Sequence, residues 1–341
     1  MQPSLPATSL NPDNQDLLAS LHTAIPLWAP HEVEAARARF ESFLESGRLY
    51  TLFPTTSKVT EQDIRALVPE GRVFACDFYV QGFEDGHIKD SGIYKNDIFN
   101  IDHHADVPSM RQIISSGTLA IRHVKTHGID NTAPIFINHT DADSILSSLI
   151  MAGVLPPDEA LFGTAVIAAD HTGEQNSIAD LLQSLDNKRN YLLSVKSLFA
   201  LLAGDPLNAD AQAELLKRYA TRKQAYDIAL NETQITKLEN IVLIETDQKI
   251  AGEMFTQLFQ EHLAILLVET IKNKTVCKMR LTTKGMGRSL NLHDLKLHEI
   301  LPGWGGRWNA GSNNRAGGCD PSFHIIDIAH AIDARFMDKY S

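Results

Sequence analysis

The feature that most constrains the fold is an alternation of short apolar and amphipathic segments between residues 72 and 173. The segments RVFACDF, DIFNIDHH and APIFINHTDAD each read as a buried strand that ends in acidic or histidine residues, whereas GTLAIRHVKTHG and SILSSLIMAG have helical spacing. FGTAVIAADHTG is predicted to close the series as a further strand. Apolar strands separated by helices predict a mostly parallel sheet covered on both faces, which is an α/β fold.

The chain changes character near residue 240, where a second folded region begins. NIVLIET, HLAILLVETI, TVCKMRLTT and FHIIDI are predicted strands, and AGEMFTQLFQE is a predicted helix between the first two. Residues 175–235 are rich in Leu, Ala, Lys and Asp with helical spacing. We therefore expect four parts: an N-terminal helical extension over 1–70, an α/β domain over 71–190, a helical connector over 191–238 and a smaller α+β C-terminal domain over 239–341.

Charge and cysteine content exclude several classes of protein. A formal net charge of −11 disfavours binding of long duplex nucleic acid, which needs many Lys and Arg contacts, but it permits a small phosphorylated ligand. Three widely separated cysteines argue against a disulfide framework and fit a reducing compartment. The N-terminus is not typical of a signal peptide, and LAILLV at 263–268 is too short to span a bilayer. We expect a cytoplasmic protein without membrane contact, and the sequence leaves a homodimer open.

Polar residues with metal-ligating side chains follow each of the four predicted strands of the first domain. Taken singly, each has an ordinary explanation: Asp141 or Asp143 could cap the helix that follows, and adjacent histidines in a loop are commonly structural. Together they would place five carboxylates close to one another, which is costly unless cations neutralise them. The four groups are Asp77, then Asp102-His103-His104, then His139, Asp141 and Asp143, and finally Asp170-His171.

Imidazole and carboxylate groups without thiolates suit Mn²⁺ or Mg²⁺ better than structural zinc. This number of ligands is most economically explained by two ions that share a bridging carboxylate. Two ions about 3.5–4 Å apart generate a hydroxide nucleophile and stabilise both oxygens of an in-line phosphoryl displacement. We expect two divalent ions, Mn²⁺ first and Mg²⁺ as the alternative.

These motifs resemble those of the DHH phosphoesterase superfamily, which includes RecJ-type exonucleases, oligoribonucleases, cyclic dinucleotide phosphodiesterases and family II pyrophosphatases. The resemblance spans roughly residues 72–325. It implies that residues 71–190 form a DHH metal-binding catalytic domain and that 239–341 form a DHH-associated substrate-binding domain. In most of the superfamily the HxDxD motif precedes the others, whereas here it follows DHH, so the motif order resembles a permuted one.

The resemblance also implies a role for each residue of the first domain. His139 and Asp141 would hold one metal, while Asp143, His103 and Asp170 hold the other, with Asp77 bridging. His104 would act near the scissile phosphate as a proton donor, and Asp102 would orient the histidine pair. His171 is left open between a structural and a supporting role.

The C-terminal domain contributes predicted substrate contacts. Met279-Arg280-Leu281 and the stretch GGRWNAGSNNRAGG resemble the arginine strand and glycine-rich loop of nuclease-like relatives, although the loop lacks their histidine. Glycines let main-chain N–H groups approach a phosphate, and arginine offers a bidentate fork. Trp304 and Trp308 could either stack on a base or pack the loop, and Arg222 is expected on a solvated helix face. The predicted substrate-binding residues are Arg280, Gly305, Gly306, Arg307, Asn314 and Arg315.

The sequence therefore predicts a metal-dependent hydrolase. It would cleave a phosphomonoester or phosphodiester of a nucleotide or very short oligonucleotide through a metal-bound hydroxide. A pyrophosphatase-like phosphoanhydride hydrolase and a catalytically silent nucleotide-binding relative remain as alternatives.

Overall fold

The computed structural model describes residues 25–52, 58–89, 91–105, 107–272, 274–314, 317–318 and 324–340. The substrate-binding role predicted for Arg315 falls outside these residues. Within them the chain combines helices with two six-stranded sheets, which confirms a mixed α/β fold, and both sheets contain antiparallel as well as parallel pairs.

The first sheet is mixed in direction. Its spatial order is β1-β8-β3-β7-β6-β5, with parallel pairing among the first four strands and antiparallel pairing among the last three. The strands β3, β7 and β8 are fully buried, which explains their continuous apolar sequences. In chain order the six strands are β1 Leu49–Thr51, β3 Val73–Cys76, β5 His87–Lys89, β6 Gly92–Lys95, β7 Ile98–Ile101 and β8 Ile135–Ile137, and a separate parallel pair is formed by β2 Val59–Thr60 and β4 Val80–Gln81.

The helices of the N-terminal half pack with this sheet into one large hydrophobic core. The predicted helix that precedes Gly128 spans Ser116–His127, and it begins at the capping residue Ser115, whose side chain accepts a hydrogen bond from the Thr118 main chain. The α-helices described between residues 30 and 229 are α1 Pro30–Glu45, α2 Glu61–Leu67, α3 Ser116–His127, α4 Ala142–Met151, α5 Thr164–Ile167, α6 Ser177–Leu185, α7 Tyr191–Ala203 and α8 Ala209–Ala229.

The strand predicted at residues 162–173 is wrong, because this stretch is helical. Turns of π type over Glu159–Gly163 and Ala168–Thr172 flank α5, and the run ends at Gly173, whose φ is +67°. A short apolar run does not distinguish a buried helix from a buried strand by periodicity, and alanine favours the helix. Asp170 therefore lies on a π turn, a form of helix that is frequent at functional sites.

The second sheet has the order β13-β14-β12-β11-β10-β9, and only the β10–β11 pair is parallel. Hydrophobic clusters lie on both of its faces. The strand predicted around Ile325 is wrong: Ile325–Tyr340 is a helix that buries Ile328, Ile332 and Phe336. The elements are β9 Ile235–Lys237, β10 Ile241–Thr246, β11 Ala264–Ile271, β12 Lys274–Leu281, β13 Gly305–Gly306, β14 Ala310–Ser312, α9 Glu253–Thr256, α10 Thr283–Gly287 and α11 Ile325–Tyr340.

None of the helices in the described part of the chain combines the length and apolar character that a membrane span requires.

Candidate metal centre

Asp77 follows β3 in a backbone conformation that is unusual for a residue other than glycine. Its φ is +61°, and its side chain is 1% exposed. The hydroxyl of Ser116 donates to Oδ1 and the hydroxyl of Ser144 donates to Oδ2, each at 2.9 Å. Aspartate tolerates the left-handed region better than most residues, and backbone strain of this kind clusters at functional sites.

Asn100, on the neighbouring strand β7, holds the turn that carries Asp77. Its buried amide nitrogen donates to the Phe78 carbonyl at 2.7 Å, and its oxygen accepts the Val80 N–H at 2.9 Å. Asn100, Ser116 and Ser144 were not predicted as site residues. Nothing in their local sequence distinguishes them from ordinary polar residues.

The Asp102-His103-His104 segment begins directly after β7 and divides into two parts. Asp102 Oδ1 lies 2.6 Å from Nδ1 of His104, and Asp102 Oδ2 accepts the His104 main-chain N–H at 3.1 Å. His103 is turned elsewhere, with Nε2 at 3.3 Å from Asp170 Oδ2 and 3.6 Å from Asp143 Oδ2. Asp102 thus fixes the ring of His104, while His103 joins the carboxylates.

His139 and Asp141 lie at the start of α4. Asp141 is the N-cap, since its Oδ1 accepts the Ser144 N–H at 2.9 Å. Its other oxygen, Oδ2, is 3.4 Å from His139 Nε2, and the same nitrogen is 2.9 Å from Asp77 Oδ2. The capping role considered for Asp141 and a role in a metal site are therefore compatible.

Asp143 is buried against the N-terminus of α3. The main-chain N–H groups of Ser116 and Gly117 donate to its two oxygens at 2.9 and 2.7 Å. The positive end of a helix favours a carboxylate at this point. Gly117 permits the approach, because a Cβ there would lie 2.7 Å from Val166 Cγ1 and 3.1 Å from Asp143 Oδ1.

Arg307 connects the second sheet to this cluster. Its guanidinium pairs with both oxygens of Asp170 at 3.2 and 3.3 Å and lies 3.2 Å from His103 Nε2. Arg280, on β12, donates to the main-chain carbonyl of Asp170 at 2.7 Å. Two of the predicted substrate-binding arginines are thus brought to the predicted metal ligands.

The other residues of the glycine-rich loop are less closely associated with the predicted metal ligands. Gly305 and Gly306 form the exposed strand β13, and Asn314 is exposed. Trp308 is buried in the hydrophobic core, which favours packing over base stacking. His171 is buried, with Nε2 at 2.6 Å from the Ile114 carbonyl oxygen and Nδ1 at 3.0 Å from the amide nitrogen of Asn309. Both ring nitrogens have protein partners, which favours a supporting role for His171.

Burial and mutual repulsion raise the pKa values of Asp77 and Asp143, whereas the pKa values of Asp141 and Asp170 are lowered, because burial is outweighed there by neighbouring groups, chiefly His139 and Arg307 respectively. Burial, followed by the charge of Asp141, raises the pKa of Asp77 to about 6. Burial also raises the pKa of Asp143 well above its usual range, with further contributions from Asp77 and Asp170. Removal of several carboxylates from water favours their neutral forms unless cations compensate. The cluster is therefore chemically suited to divalent cations.

The pKa values of the histidines differ from one another, although these rings lie in one cluster of carboxylates. Burial, then the neighbouring His104, holds the pKa of His103 well below its usual range, so this ring is neutral and its nitrogen is available to a metal. For His139, burial opposes the charge, but Asp141 and Asp77 outweigh it and raise its pKa to about 12. The proton on His139 supplies positive charge between these carboxylates, as a metal ion bound there would.

Within the described residues, three groups have ligand atoms that lie within 4.8 Å of one another. Two of them contain Asp77, which is the residue predicted to bridge. All ligand atoms are carboxylate oxygens or imidazole nitrogens, a donor set that fits Mn²⁺ or Mg²⁺. The groups are Asp77-His139-Asp141, Asp77-His103-His104 and His103-Asp170-His171.

The solvated position predicted for Arg222 is wrong. Its side chain is 10% exposed, and its Nε lies 2.8 and 2.9 Å from the two oxygens of Asp180, which is fully buried. The face of α8 that carries Arg222 is covered by α6. A local helical pattern does not reveal which face of a helix another element will cover.

No family model matches the chain, and no curated protein matches it significantly. Solved structures do match. The pGpG-specific phosphodiesterase PggH from Vibrio cholerae is 12% identical, covers 65% of this chain and 96% of its own, and gives a TM-score of 0.35. The exonuclease RecJ bound to manganese is 11% identical over 94% of this chain and 97% of its own, with a TM-score of 0.41.

RecJ from Thermus thermophilus in complex with Mn²⁺ is 12% identical, covers 95% of this chain and 50% of its own, and gives a TM-score of 0.36. These proteins are members of the DHH superfamily, the family that the motifs resemble. At TM-scores of at most 0.41, the likenesses by themselves say nothing about the activity of this chain.

Proposed function

We propose that the chain is a two-metal phosphoesterase of the DHH type that hydrolyses a phosphoester of a nucleotide or very short oligonucleotide. The observation that carries this proposal is the position of Asp77. Its Oδ2 lies 2.9 Å from Nε2 of His139, and it forms one group of candidate ligands with His139 and Asp141 and another with His103 and His104. His103 in turn lies 3.6 Å from Asp143 and 3.3 Å from Asp170. A carboxylate between two histidine–carboxylate sets is suited to bridging a pair of ions.

The chain's own residues would hold the ions in two sets. His139 and Asp141 would bind one, His103, Asp143 and Asp170 the other, and Asp77 both. Two divalent ions bound there supply a nucleophilic water at neutral pH and neutralise charge on the phosphoryl oxygens. Ser116, Ser144 and the N-terminus of α3 would fix Asp77 and Asp143 before any ion binds.

His104 would serve as the proton donor to the leaving oxygen. Its Nδ1 is occupied by Asp102, so Nε2 is the nitrogen left to meet a substrate, and the side chain is 34% exposed. Although burial disfavours the charged ring, the carboxylate of Asp102 raises the pKa of His104 above its ordinary value. A raised pKa keeps a proton on the ring at neutral pH, as a general acid requires.

The C-terminal domain would hold the rest of the substrate. Arg307 lies against the predicted ligands, where its guanidinium could pair with a phosphoryl oxygen in place of Asp170 once ions bind there. Lys278, Arg280, Gly311 and Ser312 line a cavity of about 270 Å³. This volume is close to the lower end of small-ligand sites, roughly 300–1,000 Å³. The net charge of −11 favours small substrates over long polymers.

The proposal is tested by a substrate panel with purified protein and Mn²⁺. The panel contains bis-p-nitrophenyl phosphate, dinucleotides, 3′-phosphoadenosine 5′-phosphate, cyclic dinucleotides, pyrophosphate and simple phosphomonoesters. We expect turnover of at least one nucleotide phosphoester. Asp143→Asn should lower the rate by about 10²–10³-fold, because ion-based charge stabilisation supplies several kcal/mol.

Asp85→Asn is the matched control, because Asp85 is an exposed carboxylate paired with Lys95 away from the cluster. It should retain the wild-type rate. Cleavage of pyrophosphate without cleavage of any phosphoester would favour a phosphoanhydride hydrolase. A protein that binds Mn²⁺ tightly but turns over none of these compounds would contradict the proposed activity.

A further inference from the structure

Side chains from later parts of the sequence donate hydrogen bonds to the main chain at the predicted ligand Asp170 and just after it. Four of the five carbonyl groups between residues 170 and 174 accept a hydrogen bond from a side chain of the connector or of the C-terminal domain. These bonds are Arg280 Nη1 to the Asp170 carbonyl at 2.7 Å, Thr256 Oγ1 to that of Thr172, Arg222 Nη1 to that of Gly173 at 2.8 Å, and Arg222 Nη2 to that of Glu174 at 3.1 Å.

The same segment packs directly on helix α9. A Cβ at Gly173 would lie 1.7 Å from the Glu253 carbonyl oxygen, and φ at Gly173 is +67°. Only glycine fits such an approach without moving one of the two backbones. The segment therefore has little freedom to shift unless α9 and the connector shift with it.

Arg222 is the central member of this set, since its guanidinium makes contacts in two directions. Nε is fixed by the buried Asp180 of α6, which also accepts from Arg218 Nε at 2.9 Å. Nη1 donates to the Gly173 carbonyl at 2.8 Å, and Nη2, which lies 2.7 Å from Asp180 Oδ1, also reaches the Glu174 carbonyl at 3.1 Å. This use of a planar fork is specific to arginine, because a lysine ammonium at the same place could keep the charge but could not make all of these bonds at once.

We propose that Arg222, together with Thr256, is a positioning residue for the metal centre. It acts by holding the backbone that carries Asp170, whose side chain reaches within 3.3 Å of His103. The inference rests on the proposed function, because it assigns Asp170 to a bound ion. Groups that support metal ligands typically contribute 10–100-fold to metal affinity, and small misplacements of such ligands are costly.

The test is a titration of the metal-free full chain with Mn²⁺, followed by calorimetry and electron paramagnetic resonance in the absence of substrate. Arg222→Lys keeps a charge beside Asp180 but removes the fork. We expect it to weaken one of the two bound ions by about 10–100-fold and to leave the other unchanged. The melting temperature should change little, since the ion pair with Asp180 persists. Lys223→Gln is the control, because Lys223 is an exposed neighbour that pairs with Asp227 on its own helix.

A double variant separates positioning from a general structural effect. If Arg222 acts through Asp170, Arg222→Lys added to Asp170→Asn should cause no further loss of affinity. Additive losses, equal weakening of both ions or unchanged affinity in Arg222→Lys would each overturn the inference. Should Arg222→Lys fail to fold, Thr256→Ala provides the same test with Asp180 untouched, and it should weaken the same ion. If the wild-type chain binds no Mn²⁺, the proposed function itself is wrong and the inference is lost with it.

Discussion

At the scale of single residues, Asp77 combines a strained backbone conformation with a charge that its surroundings disfavour. Its φ of +61° is strained for a residue with a side chain, and its carboxylate is buried beside other carboxylates. Natural proteins tolerate such conflicts at functional sites, where the same features serve binding. Asp77 is therefore the position at which stability and the proposed activity should oppose each other most clearly.

We predict that Asp77→Asn stabilises the metal-free protein while it abolishes activity. Burial raises the pKa of Asp77 to about 6, so at pH 7 the folded state must keep a carboxylate charged against its environment. Asparagine removes that charge and still tolerates the left-handed backbone, and it leaves Asp141 as the carboxylate partner of His139. The free energy of unfolding from urea titration should rise by at most about 2 kcal/mol without metal, because loss of the pair with His139 offsets part of the gain. A lower unfolding free energy in the metal-free variant would contradict this account of the site.

His123 should make the stability depend on pH independently of the metal centre. Burial, then the neighbouring His127, lowers its pKa to about 4, and its ring lies against Phe74 and Phe99. The unfolded chain takes up this proton near pH 6.5, so stability contributed by neutral His123 is complete above that pH and is lost progressively as the pH falls towards 4.

The free energy of unfolding, measured with urea, should fall by about 1–2 kcal/mol between pH 7 and pH 4.5. The fall should be smaller in His123→Gln. The exposed His87 is the control, and His87→Gln should retain the wild-type pH dependence. An equal pH dependence in wild type and His123→Gln would show that His123 is not the source.

At the scale of elements, the N-terminus of α3 is the part of the scaffold most closely fitted to the site. We predict that Gly117→Ala lowers the free energy of unfolding by about 1–3 kcal/mol, as overpacking typically does, and weakens Mn²⁺ binding. The added methyl would press on Val166 and Asp143. Chemical denaturation and a Mn²⁺ titration measure the two effects.

Gly287→Ala is the control, because its Cβ would meet no heavy atom within 4 Å. It should change the unfolding free energy by less than about 0.5 kcal/mol. If both alanine variants behave alike, the close fit of α3 to Asp143 has no energetic consequence.

The sequence predicted the elements with distinctive local patterns and missed those set by distant contacts. The strands Val73–Cys76, Ile98–Ile101 and Ile135–Ile137 were predictable, because each is a short apolar run closed by polar residues. The helix from Ile325 was missed because its first residues, taken alone, resemble a strand, and its helical period becomes clear only with Ile332 and Phe336.

The site was predictable in the same uneven way. Side chains that commonly bind metals can be recognised from the sequence when they occur in compact motifs. The structure places six such residues in one cluster: Asp77, His103, His139, Asp141, Asp143 and Asp170. Their assignment as ligands remains a prediction. The supporting residues Asn100, Ser116 and Arg222 were not predictable, because their roles depend on partners 22, 39 and 42 positions away in the chain.

At the scale of the whole molecule, arginines from later parts of the chain reach the predicted metal centre. Arg307 and Arg280 contact Asp170 from the region of the second sheet, whereas Arg222 on α8 donates to the carbonyls of Gly173 and Glu174 in the same segment. Ion binding at Asp170 should therefore depend on the positions of these later parts of the chain.

The most direct test of a two-metal site is the number of Mn²⁺ ions that the metal-free chain binds, measured by calorimetry and electron paramagnetic resonance. We predict two ions per chain, magnetically coupled because they would share the carboxylate of Asp77. Asp143→Asn should leave a single, uncoupled ion. A wild-type chain that binds no Mn²⁺, or two ions without magnetic coupling, would contradict this prediction.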